Sequence, residues 1–492
     1  MPGIVWKSVH GKKYMVLRWK KWIDGKSRIV KEIYIGDEER LARILENPAE
    51  GAEVTAMGFG ATASIISMER DMGIKGMIDD VVGHKGNGLS PGDYVLLFAF
   101  NRLSDPMSKN GIGSWMKGDF ASTLYHEVTA QGYWNVMDRF SEDHMKAIKE
   151  RIRDRLIALG HDHSKLFVDG SNFYTFMKEN DMAKRGHNKQ HRYDLNQIAY
   201  YIAANEDYIP FYGDSYPGNE PDANTFPMIV ENLPPDAAVI FDRGYNSEYN
   251  VGLLQNRKYI GALIQSDHRD LMAIPLEKDS FIETPKTVYG KVHRIIVYHS
   301  RKLEKKQIIG FMKRFRKIYV RARKIMQSGD SDAMEKARYY LESCNMNETI
   351  LLPSLKIDRE RMEERFRMFG KNALFTNIRD IKAEDLIELY RKRNRIEHCF
   401  RTISMQDLAK PEYHWTPQKI KVHMFFSHIA YLYLALIHYR IRESVSLAST
   451  TEVLRTIRIT MLARGKSVKN VITSHDDRGK EAIKTLELEK LI

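Results

Sequence analysis

Three acidic residues and two of their neighbours define the chemistry this chain could carry. Tyr390, Arg393 and Glu397 are spaced three and then four apart within IKAEDLIELYRKRNRIEHCFRTISMQD, residues 381–407. On a helix that spacing places them along one edge. Far upstream, Asp169 closes the apolar run LFVD and Asp242 closes AVIFD. Carboxylates are hard oxygen donors, suited to magnesium or manganese and not to zinc. Two such ions about 3.5–4 Å apart hold the attacking and leaving oxygens of a phosphodiester in line and neutralise the developing charge. A general base alone supplies only about 10²–10⁴-fold, well short of enzymatic phosphate chemistry. On a solitary helix, Arg393 and Glu397 would equally read as a surface ion pair. The two aspartates at strand ends are what argue for a site.

The elements that position these residues follow from pattern. Residues 381–407 contain no Pro or Gly, which predicts one continuous helix. Leu386, Leu389, Ile396, Phe400 and Ile403 form its buried stripe, and Tyr390 and Glu397 are expected roughly 10 Å apart along its axis. Upstream, KLFVDGSNFYTF reads as a strand, and LNQIAYYIAANEDYIPFYGDSYPGN as two strands joined at Asn205-Glu206-Asp207. PDANTFPMIVENL is a helix, AAVIFDRG a buried strand, NSEYNVGLLQNRK a helix and KYIGALIQS a strand. Three strands followed by alternating helix and strand predict a mixed sheet covered by helices, with chemistry at the C-terminal strand ends.

The flanking regions differ in character. Residues 4–36 alternate apolar and polar positions around His10-Gly11 and Asp24-Gly25, which predicts a small basic β module over 1–50. Residues 51–160 are read as helical. Helix-turn-helix character there would suit DNA, and a plain helical scaffold is the other reading. The core is expected over 161–270 and 371–443, with an insertion at 271–370 and a C-terminal region at 444–492. Within the insertion, TVYGKVHRIIVYHS is a hairpin, followed by a long helix with Ile308, Met312, Phe315, Tyr319, Ala322 and Met326 on one face. Its remaining faces carry Lys313, Arg314, Arg316, Lys317, Arg321, Arg323 and Lys324, almost all of one sign, which points to phosphate.

Composition sets the frame. The chain has 492 residues, 43% hydrophobic and 29% charged, with formal net charge +13, so it is folded, multi-domain and suited to a polyanionic partner. An anionic membrane surface would suit the same charge. Two distant cysteines, Cys344 and Cys399, make no disulfide framework and fit a reducing cytoplasm. No secretory signal is visible in MPGIVWKSVHGKKY, and the run Met424 to Ile437 reads as a core helix, not a membrane span.

The carboxylate-bearing stretches resemble insertion-sequence DDE transposases with a ribonuclease-H-like catalytic core, in the subgroup with a Tyr-x2-Arg-x3-Glu helix. The matching stretches are LFVDGSNF around Asp169, DMAKRGHNKQHRYDLNQI, FYGDSYPGN, VIFDRGYNS around Asp242, the 373–404 stretch around Glu397, and KPEYHWTPQKIKVHMFFSHIAYL. The resemblance implies that Asp169 bridges two metal ions while Asp242 and Glu397 each complete one site. It further implies magnesium, with manganese as the alternative, and cleavage and strand transfer at terminal inverted repeats. The partners implied are inverted-repeat and target DNA, with a homodimer in the DNA complex, no membrane, and a cytoplasmic, nucleoid-associated location. The related signature often has Lys seven residues after the Glu, where this chain has Ser404. Arg401 or Lys410 would then take the phosphate contact. With Tyr390, Arg393, the basic helix and Trp415, which is either a base-stacking wedge or a packing residue, Arg401 completes the expected DNA contacts. The alternatives are a non-catalytic DNA-binding descendant of such an enzyme and a stand-alone metal-dependent nuclease.

Other motifs carry less. ARGKS at 463–467 lacks the first P-loop glycine, since Thr460 stands there. His161, Asp162 and His163 read as capping or solvent residues. His187 and His191 have zinc-like spacing without further ligands nearby.

Overall fold

The computed structural model describes the chain except residues 1, 2, 10, 24, 47–52, 85, 87, 127, 187–193, 406, 407, 410–413, 465 and 466. His187, His191 and Lys410 therefore lie outside the described residues.

Strands β1 (Gly3–Val9), β2 (Lys12–Ile23) and β3 (Lys26–Gly36) form an antiparallel meander. Its two tight turns place Gly11 at φ +78° and Gly25 at φ +72°, where a side chain would be strained. A short strand, β4 (Glu53–Gly58), opens the region read as helical. It pairs antiparallel with a strand near the C-terminus, a long-range match invisible to local pattern. Helices Gly60–Met72, Ile74–Val82, Pro91–Leu103 and Glu142–Ala158 follow. Helix Pro91–Leu103 starts at a reciprocal cap: Ser90 Oγ accepts from Asp93 N at 3.1 Å, and Asp93 Oδ2 accepts from Ser90 N at 2.9 Å. Every one of its residues except Asp93 is buried. A helix enclosed on all sides cannot itself enter a DNA groove.

The central sheet comprises β5 (Lys165–Thr175), β6 (Asn196–Ala204), β7 (Pro210–Pro217), β8 (Ala238–Phe241), β9 (Tyr259–Ala262), β10 (Phe281–Val288), β11 (Lys291–His299) and, after a small ribbon of β12 (Ile350–Leu351) and β13 (Lys356–Ile357), β14 (Lys371–Thr376). Across the sheet the order is β10-β11-β14-β9-β8-β5-β6-β7. Only β5, β8 and β9 run parallel, and these neighbours pair in register Val168 to Phe241 and Ile240 to Ile260. β8 and β9 are buried throughout, which explains their unbroken apolar runs. The hairpin β10–β11, grouped by pattern with the insertion, extends this sheet through β14.

The rest of the insertion forms its own small core. Helices Arg301–Met326 and Ala333–Ser343 close on Phe315, Ile318, Ala322, Leu341, Met346 and Ile350. This corrects the expected stripe. Met312 is exposed, while Ile318 and half-buried Phe311 take its place, because the helix packs on its own insertion and not on the central sheet. Strands β15 (Ile457–Arg464) and β16 (Ser467–Ser474) complete a three-stranded sheet with β4. Of ARGKS, Ala463 and Arg464 end β15 and Ser467 opens β16, so a strand and not a helix follows the motif.

Helix Pro417–Ile441 is long and apolar enough to cross a membrane, yet 94% of its most apolar window is buried within the protein. Its polar residues find partners inside. His423 Nε2 donates to Ala409 O at 2.8 Å, His428 Nδ1 pairs with Tyr200 Oη at 2.6 Å, and Tyr431 Oη donates to Tyr208 O at 3.0 Å. The fold is mixed α/β, with one apolar core running from Met57 to Leu488.

Candidate active site

Asp169 lies within β5 and does not end it. Val168 is level with Phe241, the last residue of β8, so β5 runs past its parallel neighbour and Asp169 stands beside the chain reversal that begins at Asp242. The expectation that Asp169 closes a strand missed this extension, because β5 continues pairing with β6 on its other side, with Asp169 opposite Ile202. Asp242 does follow a strand end, and its Oδ1 caps the next turn by accepting from Arg243 N at 2.7 Å. Asp169 Oδ1 accepts from Gly170 N at 2.8 Å.

The segment that carries Arg393 differs from the continuous helix its composition predicts. It is two helices, Ala383–Arg391 and Asn394–Met405. Between them the backbone bonds tighten to i→i+3: Arg393 N to Tyr390 O at 3.1 Å, Arg395 N to Lys392 O at 2.8 Å and Ile396 N to Arg393 O at 3.0 Å. The cause is tertiary. Lys392 Nζ meets Glu206 Oε2 at 3.0 Å, and the Arg395 guanidinium donates to Glu206 O. Glu206 sits in the β6–β7 turn, which Asn205 Oδ1 fixes by accepting from Asp207 N and Ile209 N, both at 3.0 Å. The expected stripe still holds: Leu386, Leu389, Ile396, Phe400 and Ile403 are all buried.

This tightened turn drives Arg393 into the sheet end. Its Nη1 lies 3.3 Å from Asp169 Oδ2 and its Nη2 3.6 Å from Asp242 Oδ2. Burial opposes the charge, but Tyr390, Asp242, Asp169 and Glu397 outweigh it and hold the Arg393 pKa above its ordinary value. Tyr390 is buried with its ring 5.8 Å from that guanidinium, so it backs Arg393 and is not open to a DNA strand, as had been expected. Glu397, on the second helix, is exposed, as is Arg401. The single rigid edge expected for Tyr390, Arg393 and Glu397 is therefore broken between its members.

The structure does not gather the three carboxylates into a ready metal cage. Among the described residues, no group of three or more His, Cys, Asp or Glu side chains could hold a metal ion. Asp169 and Asp242 do fit one, since both present an oxygen to the same cation, the guanidinium. Glu397 feels that charge but stands outside.

Three residues behind this pair escaped the sequence reading. A Cβ added at Gly170 would lie 3.2 Å from Asp222 Oδ1, Tyr216 Oη and Tyr245 Oη, so any side chain beside Asp169 would press on these three groups. Burial raises Tyr245 far above the ordinary phenol range, reinforced by Tyr216 and by Asp222, Asp169 and Asp242. The one available signal was DRGY, which places Tyr245 three residues after Asp242.

Residues 160–433, more than half of the chain, match the family of the transposase DDE domain. The chain belongs to the insertion-sequence DDE transposases. A comparison with curated proteins gives no significant match. The matched range of the transposase contains Asp169, Asp242, Arg393 and Glu397, the whole of the geometry above.

The remaining candidates are dispersed. In the transposase, Trp415 is 82% exposed at the N-terminal side of helix Pro417–Ile441. Arg314 donates to Cys344 O at 3.3 Å, and Arg321 lies 5.2 Å from the Tyr340 ring, so these two serve packing within the insertion. Lys313, Arg316 and Lys317 are exposed, with no carboxylate partner among the described residues. His161 packs on Tyr439, His163 Nε2 pairs with Asp236 Oδ2 at 3.1 Å, and Asp162 Oδ1 caps Ser164 N at 2.8 Å.

Proposed function

We propose that this transposase cleaves DNA at the terminal inverted repeats of its own element and joins the freed ends to target DNA. The convergence of Asp169, within β5, and Asp242, just past the end of neighbouring β8, on one cation carries this reading. The strand sequence β7-β6-β5-β8-β9, antiparallel and then parallel, supports a ribonuclease-H-like core.

Asp169 and Asp242 would hold magnesium, or manganese, with Glu397 completing the second of two sites. Ions bound there would neutralise charge on the phosphate and align attacking and leaving oxygens. The protein's own part is geometric. Arg393 bridges the two aspartates until they are needed, then offers two parallel hydrogen bonds to the scissile phosphate. In cleavage, a water oxygen bonds to phosphorus as the bond to the 3′ oxygen breaks, and that oxygen takes a proton to leave a 3′-OH. In joining, the 3′ oxygen bonds to a target phosphorus as a target P–O bond breaks, so no nucleotide cofactor is consumed.

Arg401, Trp415, Lys313, Arg316 and Lys317 are the outer DNA contacts in this reading, with the partner subunit of a homodimer sharing the duplex. The setting is the cytoplasm, on the nucleoid. The test is to incubate the protein with magnesium and a duplex carrying the DNA that flanks its gene. New 3′-OH ends and joined products are expected. Cleavage without joining would mark a stand-alone nuclease, and binding without cleavage a non-catalytic descendant.

A further inference from the structure

The β1–β3 sheet exposes both faces. Among its described residues only Met15, Val16 and Gly36 are buried. Residues directly opposite in an antiparallel pair share a face, and alternate residues along a strand do too. The pairs Ile4 to Leu17, Leu17 to Ile33, Trp19 to Lys31 and Lys21 to Arg28 therefore define one face. On it, Ile4 is 62% exposed, Trp6 45% and Ile33 44%. A surface of that kind on a folded chain marks a binding site.

Charge identifies the occupant. The same face carries Lys13, Lys21, Arg28 and Lys31, all exposed and without a carboxylate partner among the described residues. Lys31 Nζ instead sits 5.2 Å from the Trp19 ring, which holds it out over the surface. The one described carboxylate of the sheet, Glu32, points the other way, pairs with Arg18 Nε at 2.8 Å and also binds Lys7. An acid-free face with an apolar centre fits a polyanion that also offers apolar edges. Size agrees: two interstrand spacings of about 4.8 Å span about 10 Å, within a B-DNA major groove about 12 Å wide.

We propose that this face of β1–β3 docks in the major groove of duplex DNA, with its cations on the flanking phosphates and Leu17, Trp19 and Ile33 toward base edges. The assignment rests on the transposase reading and names the surface that engages the element's ends. It also explains how the chain reads DNA although helix Pro91–Leu103 is enclosed.

The experiment uses the full chain and a mixed-sequence duplex of about 30 base pairs, roughly three helical turns. Lys21→Gln/Lys31→Gln on this face is compared with Lys12→Gln/Lys20→Gln on the opposite one, so net charge changes equally. Each lost phosphate contact lowers the slope of log affinity against log salt by about 0.9. The first variant should lose about two such units, and the second should keep the wild-type slope. Ile33→Ala should lower preference for the gene-flanking duplex over the mixed one without changing the slope. Equal slopes for both double variants, or a change of oligomeric state in place of DNA affinity, would overturn the assignment. Wild-type protein that binds no duplex at all would instead overturn the transposase reading.

Discussion

The guanidinium of Arg393 stands between Asp169 and Asp242, 3.3 Å from one carboxylate and 3.6 Å from the other. In the function proposed above, a divalent ion would share or take its position. A residue in the break between two helices is thus tied directly to two carboxylates of the central sheet region, more than 150 residues away in sequence.

Removing that cation should make the fold depend on metal. Arg393→Gln leaves two facing carboxylates, one of them buried, and breaking such a pair costs about 3–5 kcal/mol. Without divalent ion the variant should melt several degrees below wild type. Magnesium or manganese should recover most of that loss, and shift the wild type far less. Equal metal-induced shifts in the two proteins would show that the carboxylates do not share an ion.

The basic helix divides into packing and free cations. Arg316→Ala/Lys317→Ala should flatten the salt dependence of duplex binding by up to about two units while the melting temperature stays put. Arg321→Ala should do the reverse, since its guanidinium lies on the Tyr340 ring. Binding curves at several salt concentrations and a melting curve separate the two. A shift in which DNA end is preferred would show that the helix reads bases.

Asp119 offers a pH test remote from the site. Burial raises its pKa from 3.8 to about 6, against the hydrogen bonds from Thr62 Oγ1 and Ala121 N. A raised folded value means that the neutral acid suits the fold. Its contribution is whole below about pH 4 and is lost as pH rises through 6. Asp119→Asn stays neutral, so its stability should gain on wild type between pH 4 and 7, by on the order of 3 kcal/mol. A stability difference that is flat with pH would contradict this.

What could be read from the chain alone was whatever depends on near neighbours. The stripe from Leu386 to Ile403, the turn at Asn205 and the glycines at 11 and 25 follow from spacing and backbone preference, and all appear as expected. What could not be read depends on distant contacts. The helix break at Lys392–Arg393 involves no Pro or Gly; Glu206 imposes it from another strand pair. β5 overruns Asp169 because β6 keeps pairing with it. β4 is a strand because β15 lies beside it. In the basic helix, the inward face was set by the partner helix Ala333–Ser343, which a stripe count on one helix cannot see. Tyr216, Asp222 and Tyr245 meet only around Gly170, from three separate elements.

The central claim is that Asp242 works with Asp169 at the scissile phosphate. The most direct measurement is single-turnover cleavage of the gene-flanking duplex in magnesium by Asp242→Asn and wild type, with duplex binding measured on the same preparations. The variant should bind as wild type does and lose cleavage by at least about 10³-fold, the scale expected when a group that acts on the transition state is removed. Cleavage by Asp242→Asn at the wild-type rate would contradict the site.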